Sequence, residues 1–538
     1  MTRQARTLRA MAFAAVVGFA VGAGAALWSA PWEAADAGHA AAAGAAAPEA
    51  HDVSQADQAP AAGPAAEPSY TVLHDIVIAG GRVMDPASGY DRIANVGILG
   101  GTIWTISETP LRGKVVLDAS GHVVAPGFID IMSYEPNSVG SWLKLADGVT
   151  TNLALHGGAS DPDAWYARIE RSRPPLHYGA SFFYGEARLR MGIGNYRAAT
   201  PQQIAQLVER ARRALDAGAL GVSLSLEYMP GISEDEVRAM MQVAAEYGAP
   251  AFFHLRYSDM EEPGTNFDAL REVIDLARET GARFHIDHIN STGGTFSMAE
   301  SLRMIEEARA EGIEITADVY PYDYWGTYLN SARFDPGWQQ RFRIGYGDLQ
   351  IAGTSERLTP ETFAVHRRLG TLVVAYAIPE EDVRLALQAP FVMIGSDGII
   401  EPGYNNHPRG AGNFSRTLGR YVREEGVLDL MEALAKMTIM PARLLEPYVP
   451  AMAAKGRLQP GADADIVVFD PATVSDRATV EQPYLPSVGY RYVLVDGQIV
   501  LKDGELDRSV RAGKPIRAVY YHRHPAWQQA RDPHLRLR

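Results

Sequence analysis

At 538 residues, 47% of them hydrophobic and 21% charged, the chain is long enough for a full α/β domain plus a second domain and too apolar for a disordered protein. A formal net charge of −14 gives no basic footprint for nucleic acid. The absence of cysteine excludes disulfides and thiolate metal sites, so any metal must use His, Asp, Glu, water or a modified Lys.

Arg3, Arg6 and Arg9 precede an apolar run from Met11 to Trp28, and the small residues Ser29 and Ala30 follow. That order is the one found in secretory signals. Residues 1–34 therefore read as a signal peptide or N-terminal anchor, with cleavage favoured over retention. Export to the periplasm or beyond is expected, with membrane contact only through this segment. Residues 35–69, rich in Ala, Gly and Pro, read as a linker.

Folded sequence begins near Tyr70. Short β-prone runs around Asp75, Asn95 and Thr102 match similar runs around Ile466 and Tyr492 at the far end. They predict a small β-sandwich domain built from residues 70–121 and 456–510, with 511–538 as a C-terminal tail. Between them, eight apolar β-prone runs fall at 122–130, 149–155, 178–184, 221–226, 251–254, 283–288, 314–320 and 391–397. Helical patterns separate most of them, clearest at 201–217, 233–247, 267–280 and 297–311, and Gly218, Gly248, Gly281 and Gly312 follow these as candidate C-caps. Alternating units of this kind predict an α/β fold, a (β/α)8 TIM-type barrel over 122–455. The long stretch 321–389 exceeds a standard crossover and suggests a lid or substrate loop.

Chemistry in such a barrel sits at the C-terminal ends of the strands. His156, His254, His288 and Asp397 all lie at predicted strand ends. Three imidazoles and a carboxylate converging from four strands suit zinc or a similar ion. A single strand-end His is more often a hydrogen-bonded structural residue. The arrival of His254 and His288 from adjacent units favours ligation, and an Asp at the mouth of the last strand is costly to bury without a task. His285 reads as structural.

Several blocks then resemble one family in order: Ala125-Pro-Gly-Phe-Ile-Asp, Gly148-Val-Thr-Thr, Gly221-Val-Ser-Leu-Ser-Leu-Glu-Tyr, His254-Leu-Arg, Thr316-Ala-Asp-Val-Tyr-Pro-Tyr, Met393-Ile-Gly-Ser-Asp-Gly, His407-Pro-Arg and Gly461-Ala-Asp-Ala-Asp-Ile-Val. The chain is similar to the amidohydrolase superfamily, and within it to the N-acyl-D-amino-acid deacylases. The resemblance implies hydrolysis of a small linear amide by metal-activated water. It implies metal binding by His254 and His288, and Asp397 as the group that takes and returns the proton. It also implies Arg409 as a holder of a substrate carboxylate, with Tyr228, Tyr320 and Tyr322 in the pocket. Arg256 is a further candidate for anchoring an acidic group.

The pattern breaks at one place. Met132-Ser133-Tyr134 stands where the family has His-x-His. Gly157, Tyr184 and Asn290 replace three more family positions: a Cys or acidic ligand, a His and a Lys. Three readings follow. One zinc sits on His254, His288 and His156, with Asp397 as base or further ligand, if a backbone shift brings His156 in. Alternatively, Glu135, Asp130 or Tyr134 rebuilds the lost half. In the third reading the barrel has lost catalysis and binds a small molecule or a partner in the periplasm.

Overall fold

One residue, Gly127, separates two sheets. In the computed structural model, which describes residues 72–400 and 406–520, strands β1 (His74–Asp85), β2 (Tyr90–Leu99), β3 (Thr102–Ser107), β4 (Gly113–Asp118) and β5 (Val123–Pro126) form one half of a nine-stranded sheet. β5 pairs with β1 and not with the barrel, so the first predicted barrel run, 122–130, is divided: only β6 (Phe128–Asp130) enters the barrel. The division is local chemistry. A Cβ at residue 127 would stand 2.3 Å from Thr150 Oγ1, so only glycine lets the chain turn from one sheet into the other there. The predicted signal or anchor and the linker lie outside the described residues.

The barrel continues through β7 (Val149–Ala159), β8 (His177–Phe183), β9 (Val222–Ser225), β10 (Ala251–His254), β11 (Phe284–Ile286) and β12 (Ile315–Val319), each parallel to the one before. A three-stranded antiparallel insert follows, with β13 (Trp325–Tyr328), β14 (Leu349–Ile351) and β15 (Leu372–Ala375) in the order β13-β15-β14. This is the structure within the long 321–389 segment. β16 (Val392–Ile394) then returns beside β12, and the parallel Ser133–Gly398 bridge brings the last strand back to the first. β17 (Ile466–Phe469), β18 (Tyr490–Val495), β19 (Gln498–Lys502) and β20 (Glu505–Leu506) complete the nine-stranded sheet, with β17 against β5. Residues from both ends, including Ile78, Val96, Ile466 and Leu494, close a single apolar core.

The helices follow the sequence signals. Pro201–Asp216 and Glu234–Tyr247 start on capping boxes at Thr200/Gln203 and Ser233/Glu236. Gly248 and Gly281 are C-caps in the left-handed region; the helices before Gly218 and Gly312 end on Ala217 and Glu311 instead. The start of the expected tail is ordered: Pro515 bridges to Tyr178 of β8, and Val519 N donates to Tyr448 O.

Candidate metal centre

Four barrel strands deliver the chemistry. β10 ends on His254, and His288 follows β11 by two residues. His156 lies inside β7, where the ladder to β8 is interrupted: Ala154 faces Ala180 and Ala159 faces Phe182, so five steps on β7 span two on β8. The extra residues form a bulge that carries His156. Gly158 makes it possible, with φ +65° and no room for a Cβ 2.4 Å from Ser181 Oγ. This supplies the backbone shift that the sequence reading required.

The three imidazoles meet, with one ring nitrogen of each within 4.8 Å of the others. Each is oriented from behind. His156 Nδ1 lies 2.7 Å from Asp287 Oδ2, His254 Nε2 3.0 Å from Glu227 Oε2, and His288 Nδ1 3.5 Å from Thr292 Oγ1. If each of these nitrogens carries its ring proton, the inward nitrogens are lone pairs. His254 Nδ1 and His288 Nε2 then face each other at 3.1 Å, which is repulsive unless a cation lies between them. A tetrahedral ion with imidazole bonds of about 2.0–2.1 Å sets its ligand nitrogens about 3.3 Å apart, so the donor set fits a metal.

The electrostatics favour the neutral imidazole at two of the three ligands, His254 and His288. Burial, together with His254, His156 and Arg409, pushes His288 well below the usual imidazole range. Burial also lowers His254, against the pull of Glu227. Burial opposes protonation of His156 as well, but the Asp287 carboxylate outweighs it and the net shift is upward. Burial alone would raise Glu227; Arg333 and His254 bring it below its ordinary value.

Asp397 faces this cluster, with its two carboxylate oxygens 3.9 Å from His156 Nε2 and 3.9 Å from His288 Nε2. Asp397 and His288 both hold φ in the left-handed region, at +47° and +32°. Hydrogen bonds fix these unfavourable backbones: Asp397 N to Met132 O at 2.7 Å and His288 N to Asp318 Oδ1 at 2.6 Å. Arg409 is buried with Nη2 2.5 Å from Asp397 Oδ2, and its guanidinium stacks over Tyr320. Tyr228 packs its ring 4.6 Å from His254.

Two candidates are not brought to the cluster. Arg256 is committed to Glu272, at 2.6 Å and 2.8 Å, because β10 ends at His254 and the chain beyond turns toward the helix Asn266–Thr280. Tyr322 packs against His407 and under Arg416. Of the groups considered for rebuilding the lost half, Glu135 bonds Trp165 and Arg168, and Asp130 is held by Lys144 and Ser396. Only Tyr134 turns in, with its hydroxyl 3.2 Å from Asp397 Oδ1.

The sequence reading missed Glu227, Asp287 and Arg333. Asp287 directly precedes His288, and strand alternation would send the two to opposite faces; the left-handed turn at His288 brings both to the site. Arg333 comes from the insert and pairs with Glu227 at 3.5 Å.

Comparison with known proteins settles the relationship. The family model described as "Amidohydrolase family" matches residues 146–501. The chain belongs to the amidohydrolase family. It is 34% identical to an N-acyl-D-glutamate deacylase of Alcaligenes xylosoxydans xylosoxydans over 82% of this chain and 96% of that one. A D-aminoacylase of the same organism is 30% identical over 80% and 95%. Among solved structures, the N-acyl-D-glutamate deacylase of Bordetella bronchiseptica, complexed with zinc and a phosphonate mimic of the tetrahedral intermediate, superposes with a TM-score of 0.73 at 30% identity. That match covers 83% of this chain and 100% of the other. The amidohydrolase described here is thus a metal-dependent hydrolase of amide C–N bonds, as the sequence resemblance implied.

Proposed function

We propose that the protein is an exported deacylase of N-acylated D-amino acids, and that it works with one zinc ion held by His156, His254 and His288. The observation that carries this reading is the meeting of three inward imidazole nitrogens beside Asp397. The N-acyl-D-glutamate and D-aminoacylase relatives support the substrate class. A single ion follows from the loss of His-x-His, since Met132 offers a thioether and Tyr134 is engaged with Asp397. The N-terminal Arg-rich and apolar segment supports export.

An ion held there supplies Lewis acidity toward water and toward the amide carbonyl. The remaining work belongs to side chains. Asp397 accepts the proton of the attacking water at a carboxylate oxygen and returns it to the leaving amine nitrogen. Glu227 and Asp287 hold His254 and His156 with their inward nitrogens unprotonated. Arg409 receives the substrate carboxylate through its planar fork. Tyr228 and Tyr320 wall the site, against His254 and under Arg409.

The test is elemental analysis of the purified, zinc-supplied protein together with a screen of N-acetyl-D-amino acids, N-acetyl-D-glutamate first. About one zinc per chain, lost in His254→Ala and His288→Ala, with hydrolysis of the D but not the L series, is the expected result. A metal-free protein that hydrolyses none of them would overturn the reading.

A further inference from the structure

One residue of β12 meets the chain at His288 twice. Parallel pairing of β11 with β12 sends Phe284 N to Glu314 O, and a ladder advancing by two residues at a time would send His288 N to Asp318 O. The chain slips by one residue instead. Ile289 N donates to Asp318 O at 2.8 Å, and His288 N donates to the Asp318 side chain, Oδ1, at 2.6 Å. Two successive amides are thus satisfied by two acceptors of a single aspartate. The slip coincides with the φ of +32° at His288, the turn that brings its ring to His156 and His254.

Asp318 is itself held. Its Oδ2 lies 2.9 Å from His285 Nε2, and His285 Nδ1 lies 2.8 Å from Thr316 Oγ1. With its proton on Nε2, the ring donates to the carboxylate and accepts from the hydroxyl. Asp318 and His285 are both buried. The last barrel strand leaves room for the carboxylate: a Cβ at Gly395, just past β16, would stand 3.0 Å from Cγ and Oδ2 of Asp318. An apolar residue at position 318 would leave the His288 N–H buried without an acceptor and the left-handed turn without its brace. We propose that Asp318 is a positioning residue for the metal ligand His288, itself aimed by His285 and Thr316. Glu227 and Asp287 act on ring nitrogens, whereas Asp318 acts on the backbone that carries the ring. The proposal rests on the reading of the three imidazoles as the metal centre.

The experiment uses the full-length protein with zinc as the probe. Asp318→Ala should weaken zinc affinity by about 10–100-fold in chelator competition. Asp318→Asn keeps an oxygen for His288 N, and its amide can donate to His285 once that ring carries its proton on Nδ1. It should therefore recover most of the lost affinity. Cobalt substitution supplies a spectroscopic readout: the visible bands of Asp318→Asn should match those of the parent, and those of Asp318→Ala should not. Hydrogen exchange on zinc-free protein needs no metal. Backbone amides of residues 284–292 should exchange faster in Asp318→Ala than in the parent. If the zinc-free melting curve shows that Asp318→Ala does not fold, Thr316→Val takes its place. It removes only the hydroxyl behind His285 and should give a smaller loss of zinc affinity in the same direction.

Parent-like zinc affinity in Asp318→Ala, or in Thr316→Val where that variant stands in, would overturn the proposal. So would an Asp318→Asn as weak as Asp318→Ala, which would make charge and not hydrogen bonding the source of the effect. If the unaltered protein takes up no zinc, the metal-centre reading falls, and exchange in the 284–292 segment decides whether Asp318 holds the turn.

Discussion

Asp397 and Asp465 are both buried carboxylates beside a cation, yet they are finished to different degrees. At the junction of barrel and β-domain, Asp465 takes Lys455 Nζ at 2.6 Å, His177 Nε2 at 3.0 Å and Asp496 N at 2.8 Å. Its partners are themselves satisfied: His177 Nδ1 accepts from Lys514 N, and Lys455 also holds Asp463. At the barrel mouth, Asp397 stands 3.9 Å from two imidazoles whose inward nitrogens lack partners suited to them, and its cation carries an orphaned donor. The residue types are nearly the same. What separates a structural cluster from a reactive one is whether every donor and acceptor already has its mate.

The difference can be broken by substitution. Asp397→Asn should lower kcat by about 10³-fold, within the range for a general base, while the melting temperature and bound metal stay near those of the parent. Loss of metal or of fold instead would place Asp397 with the structural cluster. Asp465→Asn should do the reverse, costing about 1–3 kcal/mol of stability because it takes a carboxylate from Lys455 and His177 and leaves Lys455 with Asp463 alone, with kcat per folded molecule retained. Denaturant unfolding checks this.

The same cluster sets an acid response. Burial alone would raise Asp465, but His177 and Lys455 hold its carboxyl well below the ordinary 3.8. Its contribution is therefore fully present above about pH 4 and lost as pH falls through the depressed native value. Thermal melting followed from pH 5 to pH 3 should show declining stability, with a flatter response in Asp465→Asn.

Smaller effects sharpen the picture at the mouth. Glu227→Gln and Asp287→Asn should each weaken metal affinity by about 10–100-fold, measured by chelator competition. Unchanged affinity would mean the imidazoles need no orientation from behind. Tyr134→Phe removes one hydrogen bond from Asp397 and should change kcat by about tenfold or less.

Much of this architecture was legible beforehand because it rests on local signals. Alternating apolar runs and helix caps gave the eight units, and strand ends marked His254, His288 and Asp397. Gly127 was not legible as a boundary, since 122–130 reads as one continuous apolar run. Its close approach to Thr150 is a tertiary fact. Arg256 was misplaced for a related reason: it follows a ligand candidate by two residues, but the strand has ended and alternation no longer governs it. Arg333 reaches Glu227 from the insert, a pairing across 106 positions that no local pattern announces. Met132 and Tyr134 announced the loss of an imidazole pair, whereas the bulge that turns His156 inward depends on register with β8.

The single-residue passage at Gly127 bears on any attempt to divide this protein. β5 lies between β1 and β17, so its two hydrogen-bonding edges are covered by segments from opposite ends of the chain. Cutting away the C-terminal strands would bare one edge of a buried strand that is joined through one glycine to the first barrel strand. An exposed apolar edge is a template for pairing with other chains. Deletions that remove β17 should therefore yield insoluble aggregates, not a free-standing barrel, and the catalytic unit cannot be cut back past Ile466 without exposing this seam.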